Sequence, residues 1–338
     1  MTNLFKKAAV FTDIHYGNKS NSLVHNQDCA DFVDWFILNA KTQGCETCLF
    51  LGDWNHHRAS INIQTLQFGL RSLEKLSKAF DHIYFIAGNH DLYYRDRRDI
   101  SSVEWAKHLP NITIVDDWLI TDDVVIAPWL VGDDYKKLAK LSGKYLFSHL
   151  ELPYFLMNAQ IEMPDHGEIN AGHVVGFEKV FSGHFHKRQS RKNIWYVGNA
   201  FPHNYADAGD DARGMMILEW GQEPEFYSWP NQPMFRVYKL SDILENPKGL
   251  LLPNTSVRVH LDIDISYEEA NFIRETLIPN HKLREMSLIP MRMDQHTPDI
   301  ATGNLKFESV DQIIMDQIGA IESEFYDKKI LLEIYNNI

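Results

Sequence analysis

The chain has 338 residues, of which 44% are hydrophobic and 23% charged, a balance that belongs to a folded globular protein and excludes a disordered or membrane-embedded one. That length exceeds one ordinary core, so a large unit with a smaller appendage is expected. A formal net charge of −13 excludes indiscriminate wrapping of nucleic acid, which rewards basic surfaces, so any contact with a polyanion must be local.

The stretch Met1 to Val10 carries two lysines but no apolar run long enough for a secretory signal. No run of about eighteen apolar residues occurs anywhere, so no membrane span and a cytoplasmic location are expected. Ala8 to Phe11 is a short apolar run ending in Thr-Asp-Ile-His, and Cys48 to Leu51 is another ending in Gly52-Asp53. Both read as buried strands that stop at polar residues. Asp28 to Ala40 and Thr65 to Phe80 carry apolar residues on a helical period. The strand Ile83 to Ala87 then leads into Gly88-Asn89-His90-Asp91. The alternation of strand and helix predicts an α/β sheet with its working residues at strand C-termini.

Further strands are expected at 112–115, 124–126, 145–147, 179–181, 194–197 and 215–218. A two-sheet β-sandwich core flanked by helices accommodates them, as a first domain over residues 1–232. From 233 to 293 the pattern changes. Val257, Val259, Leu261, Ile263 and Ile265 alternate, Ser266-Tyr267-Glu268-Glu269 forms a capping box, and 283–289 reads as a returning strand, together a small β-α-β domain. Residues 294–338 are read as a linker and C-terminal helices. There Val310, Ile314, Ile318, Ile321 and Phe325 share one helical face, suited to its own domain or to a partner. Cys29, Cys45 and Cys48 are an odd set and are read as core thiols rather than a zinc or redox site.

Five segments end strands with metal-friendly residues: Asp13-Ile14-His15, Gly52-Asp53, Gly88-Asn89-His90-Asp91, Ser148-His149 and Gly183-His184-Phe185-His186. A lone histidine or aspartate at a strand end is usually structural; five such segments in series point to one site. At Asp13/His15 and His184/His186 a spacing of two puts both side chains on one side of an extended segment. Mixed imidazole, carboxylate and amide ligands suit Mn, Fe or Zn, whereas Mg prefers oxygen and a structural Zn site would use cysteine. Two such ions, about 3.5–4 Å apart, generate a water nucleophile and neutralise phosphoryl oxygens.

This series resembles the signature of the calcineurin-like metallophosphoesterase superfamily over residues 13–186. The resemblance implies that Asp13, His15, Asp53 and His186 hold one metal. It implies that Asp53, Asn89, His149 and His184 hold the other, with Asp53 as the bridge. His90 would act at the scissile phosphate, stabilising the transition state or protonating the leaving oxygen, with Asp91 orienting it.

The chain lacks the Asp-Arg-Gly element usual after Gly-Asp in protein phosphatases of the superfamily. It is similar instead to the nuclease branch, the SbcD-type and meiotic-recombination subunits, where a histidine three residues after the bridging aspartate positions the DNA end. His56 takes that place, with His57 adjacent. Tyr196-Val197-Gly198-Asn199-Ala200 resembles a segment of that branch, with Asn199 in place of the usual Ser. The length, the brief C-terminal part and Ser148 to Leu152 look closest to the compact recombination endonuclease subunits of T-even-type bacteriophages. If the chain is phage-encoded, the expected location is the host cytoplasm.

The resemblance implies a DNA exo/endonuclease that takes two divalent ions, manganese first, with Mg, Fe or Zn left open. It further implies an SbcC-type coiled-coil ATPase partner on the C-terminal helices within a repair or recombination complex, and a possible homodimer. Arg95, Arg97 and Arg98, and Lys187, Arg188, Arg191 and Lys192, are the candidate DNA contacts. The alternative is a small-molecule or cyclic-nucleotide phosphodiesterase with the same metals.

Overall fold

The computed structural model describes residues 3–159 and 161–290. In chain order its strands are β1 (Lys7–Phe11), β2 (Thr47–Phe50), β3 (His82–Ile86), β4 (Ile112–Val115), β5 (Leu119–Ile120), β6 (Val124–Ile126), β7 (Gly143–His149) and β8 (Phe177–Gly183). They continue as β9 (Gln189–Arg191), β10 (Ile194–Tyr196), β11 (Gly214–Glu219), β12 (Glu225–Ser228), β13 (Met234–Lys239), β14 (Thr255–Leu261) and β15 (Glu285–Pro290). The three longest described helices are α1 (Leu23–Thr42), α2 (Ile63–Ala79) and α3 (Tyr267–His281).

Two six-stranded sheets form the main body, in the orders β12-β11-β1-β2-β3-β4 and β5-β6-β7-β8-β10-β9. Each contains a run of four parallel strands: β1 to β4 in the first, and β6, β7, β8 and β10 in the second. Because side chains alternate along a strand, β1 feeds two cores at once. Ala8 and Val10 pack between the sheets with Leu49, Phe147 and Phe181, while Ala9 and Phe11 face Phe32, Phe36 and Leu76 of the helical layer. Both faces are covered, which is why β1 and β2 read as apolar runs rather than alternating ones.

The third sheet, β13-β14-β15, is wholly parallel, with α3 crossing from β14 to β15. Ser266 starts α3 in the expected capping box, its hydroxyl accepting from the Glu269 N–H while the Glu269 carboxylate accepts from the Ser266 N–H. Arg284, just before β15, places both guanidinium arms on the Asp28 carboxylate in α1, at 3.0 and 2.6 Å. This bidentate pair joins the small sheet to the main body.

Every strand expected in residues 1–290 is present, within two residues at either end except that β14 stops at Leu261, short of the alternating run that continues to Ile265. Strands β5, β9, β12 and β13 were not anticipated. The three cysteines are free and buried, as expected of core thiols. No helix among the described residues is long and apolar enough to cross a membrane. The expected linker and the C-terminal helix carrying Val310 to Phe325 lie outside the described residues.

Candidate metal centre

The parallel strands of the two sheets deliver their C-terminal ends to one place. Asp13 follows β1, Asp53 follows β2, Asn89 and His90 follow β3, His149 ends β7, and His184 follows β8. The chain must turn sharply at these ends. Asp13, His15, Asp53 and His184 all adopt positive φ, between 51° and 87°, a conformation costly for non-glycine residues. Strain of about 1–3 kcal/mol per residue persists only where surroundings enforce it, and it concentrates at functional sites. At Gly52 (φ 108°) a Cβ would stand 2.4 Å from His149 Nδ1, so the turn admits only glycine.

Asp53 lies at the centre. Its Oδ2 is 3.5 Å from both His15 Nε2 and His149 Nε2, while its Oδ1 accepts the His90 backbone N–H at 2.9 Å. On one side stand Asp13 and His15, with Asp13 Oδ1 3.9 Å from His15 Nε2. On the other, His149 Nε2 and His184 Nδ1 lie 3.3 Å apart, and each is about 3 Å from Asn89 Oδ1. The Leu51 carbonyl can only accept, so the His149 Nδ1 at 2.6 Å from it carries the proton and Nε2 turns a lone pair inward. Fixing the far ring nitrogen in this way is the usual arrangement behind a metal-ligating histidine.

These groups fit cations. Ligand atoms of Asp13, His15 and Asp53 lie within 4.8 Å of one another, as do those of Asp53, His149 and His184. Asp13 Oδ1 and both ring nitrogens of His15 are buried with no hydrogen-bond partner, a costly state for protein alone. The electrostatics agree. Burial disfavours charge on His149, but the Asp53 carboxylate outweighs it and lifts the imidazole to about 9, so that Nε2 shares with Asp53 a proton that a bound cation would displace. Burial opposes charge on Asp53 too, yet His149, followed by His15, holds that carboxyl well below the usual range. At His15 burial outweighs the same carboxylate and holds the imidazole well below its usual range, neutral and free to donate a lone pair.

Residues 6–188, more than half of the chain, match the family described as calcineurin-like phosphoesterase. The chain belongs to that family. As a calcineurin-like phosphoesterase it is a metal-dependent phosphoester hydrolase, and the two groups sharing Asp53 are its candidate metal-binding groups. It is similar to "Exonuclease subunit 1" of enterobacteria phage T4, with 23% identity over 96% of each chain. Among solved structures it is similar to a dimetal phosphatase from Danio rerio (12% identity, 62% of this chain and 91% of that one, TM-score 0.41). It is also similar to the nuclease MPE of Pseudomonas putida (15% identity, 62% and 82%, TM-score 0.33).

Around this phosphoesterase centre the expected residues fall into two groups. His186 comes alongside His15, ring centroids 5.3 Å apart, and His56 and His90 lie stacked at 5.3 Å with His15 4.9 Å from His90. Asp91 is different. Its carboxylate does not orient the His90 ring but accepts the backbone N–H groups of Trp54, Asn55 and Gly88, tying the β2 and β3 turns together. Burial, then the charge of Asp53, pushes it up to about 7 against those three donors. The His90 ring is set instead by the His56 carbonyl, 2.7 Å from Nδ1.

Of the basic residues expected to meet DNA, several are spent internally. Arg98 pairs with Asp134, Lys187 with Asp210, and Arg188 packs over Phe226. Arg58 was not anticipated: one guanidinium nitrogen is buried without a partner, and its charge interacts with Arg95 and Asp53. His203 was also missed. It is 1% exposed in the loop after β10, 5.2 Å from the His186 ring and 5.4 Å from His15. Beside His149 opens a cavity of about 280 Å³, walled by Arg95, Trp129, Tyr135 and Glu151, with the Trp129 ring 5.5 Å from His184.

Proposed function

We propose that this chain is a manganese-dependent DNA phosphodiesterase, an exo/endonuclease subunit of a repair or recombination complex. The observation that carries the reading is the pair of ligand groups meeting at Asp53 Oδ2, with the His90 ring alongside. The phage relative, named an exonuclease subunit over nearly the whole length, supports the choice of DNA.

In this reading Asp13, His15, Asp53 and His186 hold one ion, and Asp53, Asn89, His149 and His184 the other. The ions would supply an activated water and charge neutralisation on the phosphoryl oxygens. The chain's own residues do the rest. The Leu51 carbonyl keeps His149 in the tautomer that offers Nε2, and Glu151, 3.7 Å from His184 Nε2, does the corresponding service there. His90, its Nδ1–H committed to the His56 carbonyl, presents Nε2; as an imidazolium it donates a proton to the departing oxygen. Arg58 and Arg95 offer guanidinium groups to phosphate, and the half-buried His56 ring, stacked on His90, positions the DNA end.

A second reading, hydrolysis of a small phosphodiester such as a cyclic nucleotide, draws on the cavity beside His149, whose size and aromatic wall suit a nucleotide-sized group. The two are separated by offering linear duplex DNA and bis-p-nitrophenyl phosphate in parallel, with Mn, to the native chain and His90→Ala. The expected result is hydrolysis of both by the native chain. The variant should lose about 10²–10⁴-fold in turnover on each with unchanged bound metal. Hydrolysis of the ester with DNA left intact would move the assignment to the second reading, and full activity of His90→Ala would remove its proposed role.

We also infer an SbcC-type coiled-coil ATPase as partner, supported by the word "subunit" in the relative's name and by the apolar stripe Val310 to Phe325 in the sequence. A chain ending at residue 304 is expected to lose co-purification with such an ATPase while keeping its metal content. Unchanged co-purification would take the tail out of the interface.

A further inference from the structure

We propose that His203 is an additional ligand at the Asp13–His15–His186 metal position, making that position richer in nitrogen than the ligand set implied by the family motifs. The inference rests on the two-metal reading above and deepens it. No motif marks His203. It follows Phe201 and Pro202 in the loop leaving β10, and its place in the site exists only because β10 lies beside β8.

The His203 ring is 1% exposed, and neither of its nitrogens has a hydrogen-bond partner. A buried polar group in that state is costly, and proteins keep few of them without a ligand, ion or water to satisfy them. Its surroundings supply no protein partner. The rings of His25, Phe201, His15 and His186 pack around it with centroids 5.0–5.4 Å away. His25 already spends its Nε2 on the His15 carbonyl. Ligand atoms of His15, His186 and His203 lie within 4.8 Å of one another, close enough to meet on one cation.

The backbone holds His203 in place. Its N–H donates to the Asp207 carboxylate at 2.9 Å, and Asp207 is in turn paired with the fully buried Arg213. One residue past Gly198, the Asn199 N–H donates to the His186 carbonyl at 3.0 Å, coupling the β10 loop to the His186 segment. His56 and His90 also approach His15, but both are partly exposed, and His90 has committed one nitrogen to a carbonyl. His203 is 1% exposed with neither nitrogen partnered, whereas His56 leaves only Nδ1 buried without a partner. A position with three imidazoles and one or two carboxylates favours Mn, Fe, Co or Zn over Mg.

The test uses the full-length chain, stripped with chelator and titrated with Co(II) by visible absorption and with Mn(II) by electron paramagnetic resonance. The native chain should bind in two steps. His203→Leu, which fills the space and leaves no orphan nitrogen, should weaken one step at least ~10-fold and spare the other, with the melting temperature of the metal-free chain unchanged or raised. Unchanged affinity at both steps in a folded His203→Leu chain would overturn the proposal. Should that variant fail to fold, the count of imidazole nitrogens coupled to Mn(II) in the native chain decides. Four histidines coupled across the two ions of the implied set would overturn the proposal, and a fifth would support it. A native chain that binds no second ion would instead overturn the parent two-metal reading.

Discussion

Asp53→Asn is expected to lower turnover at least ~10³-fold, because several kcal/mol of transition-state charge stabilisation depend on the ions that this one carboxylate is proposed to hold, and each 1.36 kcal/mol is a factor of ten. The substitution is nearly isosteric. Asparagine keeps an oxygen for the His90 N–H but loses the negative charge that stands 3.5 Å from both His15 and His149. Metal affinity should fall at both positions together, which separates a bridging group from a ligand of one ion. The fold should survive, since the strand cores lie behind the turn and do not include this side chain. Circular dichroism, metal content and hydrolysis of bis-p-nitrophenyl phosphate check the three parts. Loss of only one ion would make Asp53 a terminal ligand.

Gly88→Ala is expected to damage both stability and catalysis without touching a ligand. A Cβ at residue 88 would stand 2.2 Å from Asp53 Oδ1 and 2.4 Å from the Asp53 backbone nitrogen. Backbone cannot yield as a flexible side chain does, so either the β3 turn or Asp53 must move. Overpacking of this kind costs about 1–3 kcal/mol. A displacement near 1 Å at a reacting centre can cost on the order of 10² in rate. Denaturant unfolding of the metal-free chain, set beside turnover of the loaded one, measures the two effects. Wild-type turnover would mean that the approach of the two turns has slack to absorb a methyl group.

Much of this arrangement was legible in the sequence because most of the candidate ligands sit directly at the end of an apolar run. Buried parallel strands must be apolar on both faces and must stop at polar residues, so Asp13, Asp53, Asn89, His149 and His184 announce their positions. Edge strands give no such signal. β5, β9 and β12 are two to four residues long and mostly exposed, and their pairing is decided by neighbours distant in the chain. The start of α1 was missed for a related reason: its first two residues, Leu23 and Val24, are exposed apolar side chains that break the helical period.

The misreading of Asp91 has a local cause. The family resemblance implied that Asp91 orients His90, but consecutive residues in a turn aim their side chains apart, and Asp91 points inward to backbone donors of the neighbouring turn. His203 and Arg58 were invisible for the opposite reason. Neither sits in a strand-end motif, and each reaches the centre only through tertiary packing. Periodicity and motif spacing describe local faces, whereas a residue brought in by a loop is found only by the orphaned atoms it leaves.

The most direct measurement is anomalous diffraction at the manganese edge from crystals of the native chain loaded with Mn(II). The account predicts two peaks roughly 3.5–4 Å apart, one on each side of Asp53, with the Asp53 carboxylate between them. A single peak, or two peaks that do not share Asp53, would contradict it.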